Sequence, residues 1–506
     1  VLLYICSVFI LGGMTSCEDF LDKREDVGLT EDDIFRDYYS LRGFLDQSFN
    51  QLENVMVMDN WENGRAFVGL FADEMATTDN SSAVFTLHSG NWLSNAKSST
   101  TFEIGNGGST AISRSYKALR INNRIINDID KAPLTPEQKN EILGQAYFYR
   151  SWFYFQIIKR YGGMPIIDKV FEGGDDDISR ITYHESHDWM MEDIQKAIYM
   201  LPDSWDDPNY GRPTKIAAMA LKEWAQLFDA SPLMQNDLNS TENKGYDTER
   251  AKSAAKSAYE VIRYMDGSKS APYPYGLASK EEYTNVFYFK YPPVHQPEYI
   301  WVKRQFPNAA NQNQKRTIRT FWQYEDLAFG SGPDGNSMCC PSLNIVNMFD
   351  KKGADGIYYP IDDPRSGYAL DYDHKPFEDR DPRFYNNILL PGTTWGHYAD
   401  GRTYYITTYK GGAAYQHMLT QKDCNKRMFT GFMCKKFMWP ECNQYLEKNN
   451  PNCWWDYRFL TIYIRASQIY LDYAEALFEG CGSATATIEG CPISAAEAIN
   501  ILRRRI

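Results

Sequence analysis

Apolar positions recur three and four residues apart through "LTPEQKNEILGQAYFYRSWFYFQIIKRYGGMP". Leu143, Ala146, Tyr147, Tyr154, Ile157, Ile158 and Tyr161 share one helical stripe. Thr135 is placed as an N-cap, Pro136 suits the first helical position and Gln138 completes a capping box. Gly162 and Gly163 stop the helix, and Pro165 seals the stop. Just upstream, "AISRSYKALRINNRIINDIDKAP" carries Ile112, Tyr116, Leu119, Asn123, Ile126 and Ile129 on one side. The short "KAPLTPE" between the two stretches implies an antiparallel helix pair. The pattern predicts further helices at about 185–200 and from Thr214, Thr248, Ile464 and Ser494. Their stripes mix Ala with large aromatics, which lets helices approach closely. That texture suits stacked helix–turn–helix units of the tetratricopeptide type, with repeats that are degenerate and not contiguous.

Between roughly 270 and 460 the long stripes vanish. Gly, Pro, Asn and Tyr crowd "SKSAPYPYGL", "YPPVHQPEYIW" and "GSGPDGNSMCCPS", and short β-like runs such as "RTYYITTY" intervene. This is an irregular, loop-rich lobe inserted before the last helices, and ordered loops on a rigid scaffold are where binding sites tend to sit. The N-terminal run "VLLYICSVFIL" is shorter than the ~20 residues of a membrane span. It has the look of a secretory signal's apolar core. "MTSC", Met14 to Cys17, has the form of a bacterial lipobox, with Met14 where leucine is usual; the alternative is plain cleavage near Ser16. Diacylation of Cys17 would supply the two chains that stable anchoring needs. The expected layout is a partial signal peptide over 1–16, a lipidated tether over 17–34 and an N-terminal helical-repeat region over 35–270. A loop-rich ligand-binding lobe over 271–460 and a C-terminal helical repeat over 461–506 follow. No Met or basic segment precedes the apolar run, and the sequence stops inside a helical pattern at Ile506, so further chain is expected at both ends.

The net charge of −13 argues against a nucleic-acid partner, which calls for a basic face. Aromatic residues make up 15% of the chain, including 36 Tyr and 12 Trp. Core packing accounts for most rings, but so many leaves some for the surface, where flat faces stack on ligands. Ten cysteines are present, among them Cys6, the cluster Cys424, Cys434, Cys442 and Cys453, and the pair Cys481 and Cys491. The spacings are too loose for a zinc site. In an exported protein they are available for disulfides, whose connectivity spacing alone does not give.

Several stretches together resemble the SusD/RagB family, surface lipoproteins of glycan-uptake systems in Bacteroidetes. "SCEDFLD" resembles the family's mature start, and "YKALRINNRIINDID" and "GQAYFYRSWFYFQIIKRYGGMPII" its two N-terminal signature helices. "GRPTKIAAMALKEWAQLF", "PSLNIVNMFDKKGADG", "DRDPRFYNNILLPG", "GFMCKKF" and "IRASQIYLDYAEALFEGCG" follow in the family's order and span most of the chain. The resemblance implies a mostly α fold, in which four tetratricopeptide-like helix pairs form a superhelical scaffold for a loop-rich lobe. It also implies a partner, a TonB-dependent outer-membrane transporter (SusC-like), over which the lipoprotein acts as a hinged lid. Family members capture an oligosaccharide, or in some cases peptides. They are not enzymes and need no cofactor.

Sugar binding without catalysis needs aromatic faces for pyranose CH patches and planar polar groups for hydroxyls. "SGNWLSNAK" offers Trp92 and Asn95, Asp73 lies upstream in "FADEMATTDN", and "RTFWQYED" offers Trp322 and Tyr324 on one face if extended. The competing reading is that these rings brace loops. Trp395 and the Trp454–Trp455 pair read as core or lid packing. Enzyme signals are poor. "GSGPDG" (Gly330 to Gly335) fits G-x-G-x-x-G but lacks the flanking strand and helix, and Pro333 makes it a loop. "HESH" (His184, His187) lacks a zincin's spacing and reads as a solvated helix start. "GGDDDISR" reads as a charged loop rather than a calcium site. "DRDPR" (Asp379 to Arg383) reads as a turn with local ion pairs, and Ser94 with Lys97 is a bare S-x-x-K without companion motifs. Three functions compete: a tethered oligosaccharide- or peptide-binding lipoprotein, a helical-repeat adaptor that binds protein, and a secreted glycoside hydrolase. The hydrolase needs two carboxylates about 5–9.5 Å apart.

Overall fold

A computed structural model describes residues 30–52, 72–76, 111–171, 178–235, 242, 244–270, 273–287, 296–304, 340–370, 373, 375–397, 403–412, 430–436 and 460–505. Eleven helices occur among them. They are α1 (Glu31–Phe35), α2 (Tyr38–Gln51), α3 (Ala111–Asp128), α4 (Pro136–Tyr161), α5 (Tyr183–Met200), α6 (Lys215–Ala230) and α7 (Thr248–Gly267), then the short α8 (Leu343–Asn347) and α9 (Pro382–Asn387), and finally α10 (Ala466–Cys481) and α11 (Ala495–Arg504). Side chains satisfy the helix starts. Thr30, Thr135 and Thr182 each close a capping box with the residue three positions on. The stop after α4 is built as its glycines suggest. Gly162 takes φ +76, and a Cβ on Gly163 would sit 2.0 Å from the Ile181 carbonyl oxygen. Arg180 then donates to the freed Tyr161 and Gly163 carbonyls.

From α2 to α7 each of these helices packs against the next in the chain, and α10 and α11 continue the stack on α7. This is the expected tetratricopeptide-like scaffold, with the loop-rich segment leaving it after α7 and returning at α10. Helix α4 departs from the one-stripe reading. From Ile142 to Ile158 its residues are buried almost all round, with Tyr147 the partly exposed exception, because neighbouring helices and the strand at Trp301 enclose it. Trp152 packs edge-on to both Trp301 and Tyr463, and Phe148 edge-on to Trp301. Trp224 and Phe228 close the same cluster around Phe155. Asn123, on the predicted apolar side of α3, is buried and polar. It donates to the Ile167 and Lys169 carbonyls and accepts from Arg150, which forks onto Asp193 at 2.6 and 2.8 Å.

The expectation of a solvated helix start at "HESH" is overturned. His187 is buried, and His184 Nδ1 lies 2.7 Å from a carboxylate oxygen of buried Asp229 on α6, which Arg250 of α7 also meets. One helical turn of α5 carries both imidazoles into the interface with α6. The last long helix also begins later than predicted, at Ala466 rather than Ile464.

The strands are short and occur in antiparallel pairs: β1 (Met75–Ala76), β2 (Tyr299–Arg304), β3 (Cys340–Pro341), β4 (Lys351–Lys352), β5 (Tyr358–Tyr359), β6 (Ile388–Leu389), β7 (Thr394–His397), β8 (Thr403–Tyr405), β9 (Met433–Cys434) and β10 (Leu460–Arg465). The pairs are β1–β3, β2–β10, β4–β5, β6–β9 and β7–β8. The predicted run "RTYYITTY" supplies β8. The strongest pairing, β2 with β10, places Tyr299 opposite Arg465 and roots the loop-rich region in the helical core. A separate, smaller core of Val346, Phe384, Ile388 and Leu390 lies within that region. In "DRDPR", Asp381 caps α9 and pairs with Arg383 at 2.6 Å, as a turn with local ion pairs should. Arg380 does more than the turn reading allowed. It is buried and donates to the carbonyls of Val346, Phe349 and Pro376, tying α8 to α9. Among the described cysteines Cys434, Cys481 and Cys491 are free thiols, so Cys481 and Cys491 are not bridged to each other.

Candidate functional site

Of the sequence-predicted ligand residues, Asp73 is described. It stands exposed in the turn that enters β1. Two hydrogen bonds fix that turn from one residue: the Ser342 N–H donates to the Glu74 carbonyl at 2.9 Å, and the Ser342 hydroxyl donates to the Asp73 carbonyl. The same hydroxyl accepts from the Ile345 N–H, so it also caps α8. Met75 and Ala76 then pair with Pro341 and Cys340. Asp73 is therefore presented on a short ledge whose backbone has little freedom.

Behind the ledge lie two buried cysteines. Cys340 is buried, and burial pushes the thiol of neighbouring Cys434 up to about 12. Burial brings Lys436 down to about 8, partly offset by nearby Glu74. Its ammonium lies 4.7 Å from the Phe287 ring centre, and the Arg465 guanidinium lies 5.1 Å from the same centre. Arg465 leads to Glu298, whose carboxylate has no exposed surface. Glu298 accepts from the Ala278 N–H at 3.2 Å, from Ser467 at 3.2 Å, from Arg465 at 3.4 Å, and from Arg505. Its carbonyl accepts from the Ala466 N–H. A continuous run of contacts thus links the ledge to the first turn of α10. On the other side of β2, Lys303 donates to the Leu52 carbonyl at the end of α2, and burial lowers its ammonium to about 8.

This arrangement offers two adjacent exposed acids, Asp73 and Glu74, on a braced support, while Lys436 and Arg465 are taken up in bracing. Trp92, Asn95, Trp322 and Tyr324 lie outside the described residues, as do Cys17, Trp454 and Trp455. So do Ser94 with Lys97, "GSGPDG" and the acids of "GGDDDISR". Trp395 lies in β7. Sequence reasoning missed Glu298, Lys436 and Lys303. The available signal was a charge inside an apolar run: Glu298 directly precedes "YIWV", and Lys303 directly follows it.

Residues 19–223 match the family model described as "Starch-binding associating with outer membrane", and residues 297–506 match that of the "SusD family". No curated protein matches the chain. Solved structures do. A SusD-like protein from Bacteroides fragilis is 20% identical, with a TM-score of 0.64 over 94% of this chain and 80% of its own. A SusD-like carbohydrate-binding protein from the same species is 17% identical, with a TM-score of 0.58 over 93% and 83%. A laminarin-binding SusD-like protein is 17% identical, with a TM-score of 0.53 over 92% and 83%. These likenesses are of fold. With two family models matched in order across both ends of a tetratricopeptide-like scaffold, the chain belongs to the SusD/RagB family.

Proposed function

We propose that this protein is a surface-exposed outer-membrane lipoprotein that binds an oligosaccharide and delivers it, unchanged, to a TonB-dependent transporter. Cys17 is the lipidated residue, residues 17–34 the tether, and 271–460 the loop-rich ligand-binding lobe, which supplies Trp322 and Tyr324, while Asp73, Trp92 and Asn95 reach the site from the region before it. The helical regions over 35–270 and 461–506 form the scaffold. Asp73, Asn95, Trp92, Trp322 and Tyr324 are the ligand residues in this reading. Rings stack on sugar faces, and Asp73 and Asn95 meet hydroxyls. The observation that carries it is the braced ledge of Asp73. An exposed carboxylate held by its backbone on a rigid lobe suits recognition of a polyol, and the carbohydrate-binding relatives share the scaffold. A peptide ligand is the second reading, favoured by the same acceptor.

The test is calorimetry of the mature protein against a glycan panel, with product analysis in parallel. Binding without turnover is expected. Trp92→Ala and Trp322→Ala should each weaken affinity about tenfold, the value of roughly 1.4 kcal/mol. Release of shorter sugars by the purified protein would overturn the reading, and so would affinity that neither substitution changes.

A further inference from the structure

A second concavity lies among the helices and shares no residue with the Asp73 ledge. Helix α7 presents Tyr264 and ends at Gly267. Tyr273 and Tyr275, further along the chain, stand opposite the loop that leaves α5 at Asp203 and Ser204. These residues enclose a cleft of about 360 Å³. That volume is within the range of small-ligand sites. Past Ser204, Tyr273 and Tyr275 it continues into a smaller recess of about 50 Å³, lined by Trp205, Tyr210 and Gln296 among others.

Hydrogen bonds within and behind the walls hold them in place. The Trp205 indole N–H donates to the Pro213 carbonyl at 2.8 Å. The Tyr275 N–H donates to the Ser268 hydroxyl at 3.0 Å, and the Gly276 N–H to the Pro297 carbonyl at 3.0 Å. The Tyr264 hydroxyl donates to an Asp203 carboxylate oxygen at 2.5 Å. The Tyr273 hydroxyl reaches toward Asp207 at 3.5 Å. Three tyrosine rings therefore stand around one space, each bearing a hydroxyl at its tip, with Asp203 and Ser204 at the mouth. The cleft is neither an apolar slot nor a charged one. Its lining combines three tyrosine side chains and Ser204 with the Asp203 carboxylate, which already accepts from the Tyr264 hydroxyl. Asp203 in the wall disfavours an anion. Arg212, which lines the inner recess, is held by Asp46 and Gln145.

We propose that this tyrosine cleft is a second saccharide site, taking a single neutral pyranose unit or a chain end, separate from the lobe site. Ring faces of Tyr264, Tyr273 and Tyr275 meet the CH face of the sugar, and Asp203, Ser204 and the tyrosine hydroxyls meet its equatorial hydroxyls. The choice of carbohydrate as ligand class rests in part on the proposed function. The separate location does not.

The experiment uses the full chain and three probes: maltose, cellobiose and laminaribiose. Saturation-transfer NMR and titration are run on the wild type and on Trp92→Ala/Trp322→Ala. At least one disaccharide is expected to bind the double variant in the millimolar range. Adding Tyr264→Ala and Tyr273→Ala to that background should weaken this binding about tenfold or more. Tyr264→Phe and Tyr273→Phe keep the rings, guard against a folding artefact, and should lose less. Residual binding that the tyrosine substitutions leave unchanged overturns the cleft proposal. So does wild-type binding that the tryptophan substitutions abolish completely, with the proposed function left standing. Binding of choline in place of all three sugars, displaced by Tyr264→Ala, overturns it in favour of a cation cage. No saccharide binding by any form strikes both readings together.

Discussion

At the scale of single residues, the most consequential contact is the fork of Arg150 onto Asp193. Their side chains are 6% and 3% exposed, and Arg150 also lies 5.3 Å from the Trp189 ring centre. Removing one member leaves a buried charge without its partner, which is far more costly than replacing both. Arg150→Met should destabilise the protein by about 3–5 kcal/mol, while Arg150→Met/Asp193→Leu should recover most of that loss. Chemical denaturation of the three variants decides it, and equal losses in the single and double variants would disprove the argument. Little of this was legible beforehand. Arg150 sits in "FYRSWFYF", where a lone cation in a run of rings signals burial with a partner, but Asp193 is brought to it only by the packing of α4 on α5. His187 has the same lesson. With His184 it reads as part of a solvated helix start, and the deciding fact is Asp229 on another helix.

At the scale of elements, the interface of α6 with α10 carries two carboxyl groups. Glu223 is fully buried, three residues after Ala220 and four before Leu227, and so within the apolar stripe of α6. Burial raises its carboxyl well above the usual range, and Asp472 of α10 adds to the effect. Burial also raises Asp472 to about 7, against one hydrogen bond from Gln468 at 3.1 Å. The sign follows from linkage. A carboxyl whose folded pKa is raised binds its proton more tightly in the native state. Its contribution is fully present below the unfolded value near 4 and is lost as pH rises toward 7. The helical stack should therefore be more stable at pH 5 than at pH 8 as far as this pair is concerned. Glu223→Gln keeps the shape and a donor for Asp472, so it should raise the melting midpoint at pH 8 by about 1–3 °C and flatten the profile between pH 4 and 7. Scanning calorimetry across that range is the measurement, and a variant less stable at pH 8 than the wild type would contradict the assignment. The helices themselves were legible because capping boxes and apolar spacing are local signals. What they packed against was not, which is why α4 read as amphipathic when it is central.

At the scale of the whole molecule, the helical scaffold and the lobe are joined where β2 meets β10. The sequence concealed that joint. "LTIYIR" runs directly into α10, whose cap, Arg465, makes no side-chain capping bond, so strand and helix merge in one apolar pattern. Its partner strand lies on the far side of the lobe in sequence, and pairing across such a distance leaves no local trace. The candidate site was legible to the same degree. Asp73 could be singled out by type and place, whereas the support behind it, from Lys436 through Arg465 to Glu298, is assembled from segments remote in the chain. Glu298 is the point where these segments converge. It receives hydrogen bonds from the lobe at Ala278, from the start of α10 at Ser467 and Arg465, and from Arg505 beyond α11. Glu298→Ala would leave Arg465 and Arg505 without that acceptor in a buried setting, a loss of about 3–5 kcal/mol. Its effect should be local in space. Amide exchange should quicken in 299–304 and 460–465, where the lobe is rooted, and stay close to wild type in α4, whose contacts do not pass through Glu298. Glu298→Gln, which keeps an acceptor, should fall between. If exchange quickens uniformly across α4 and the strands, lobe and scaffold unfold as one unit. If the strands are unaffected, the joint is held by the packing of Trp301 and Tyr463 alone, and the carboxylate is dispensable.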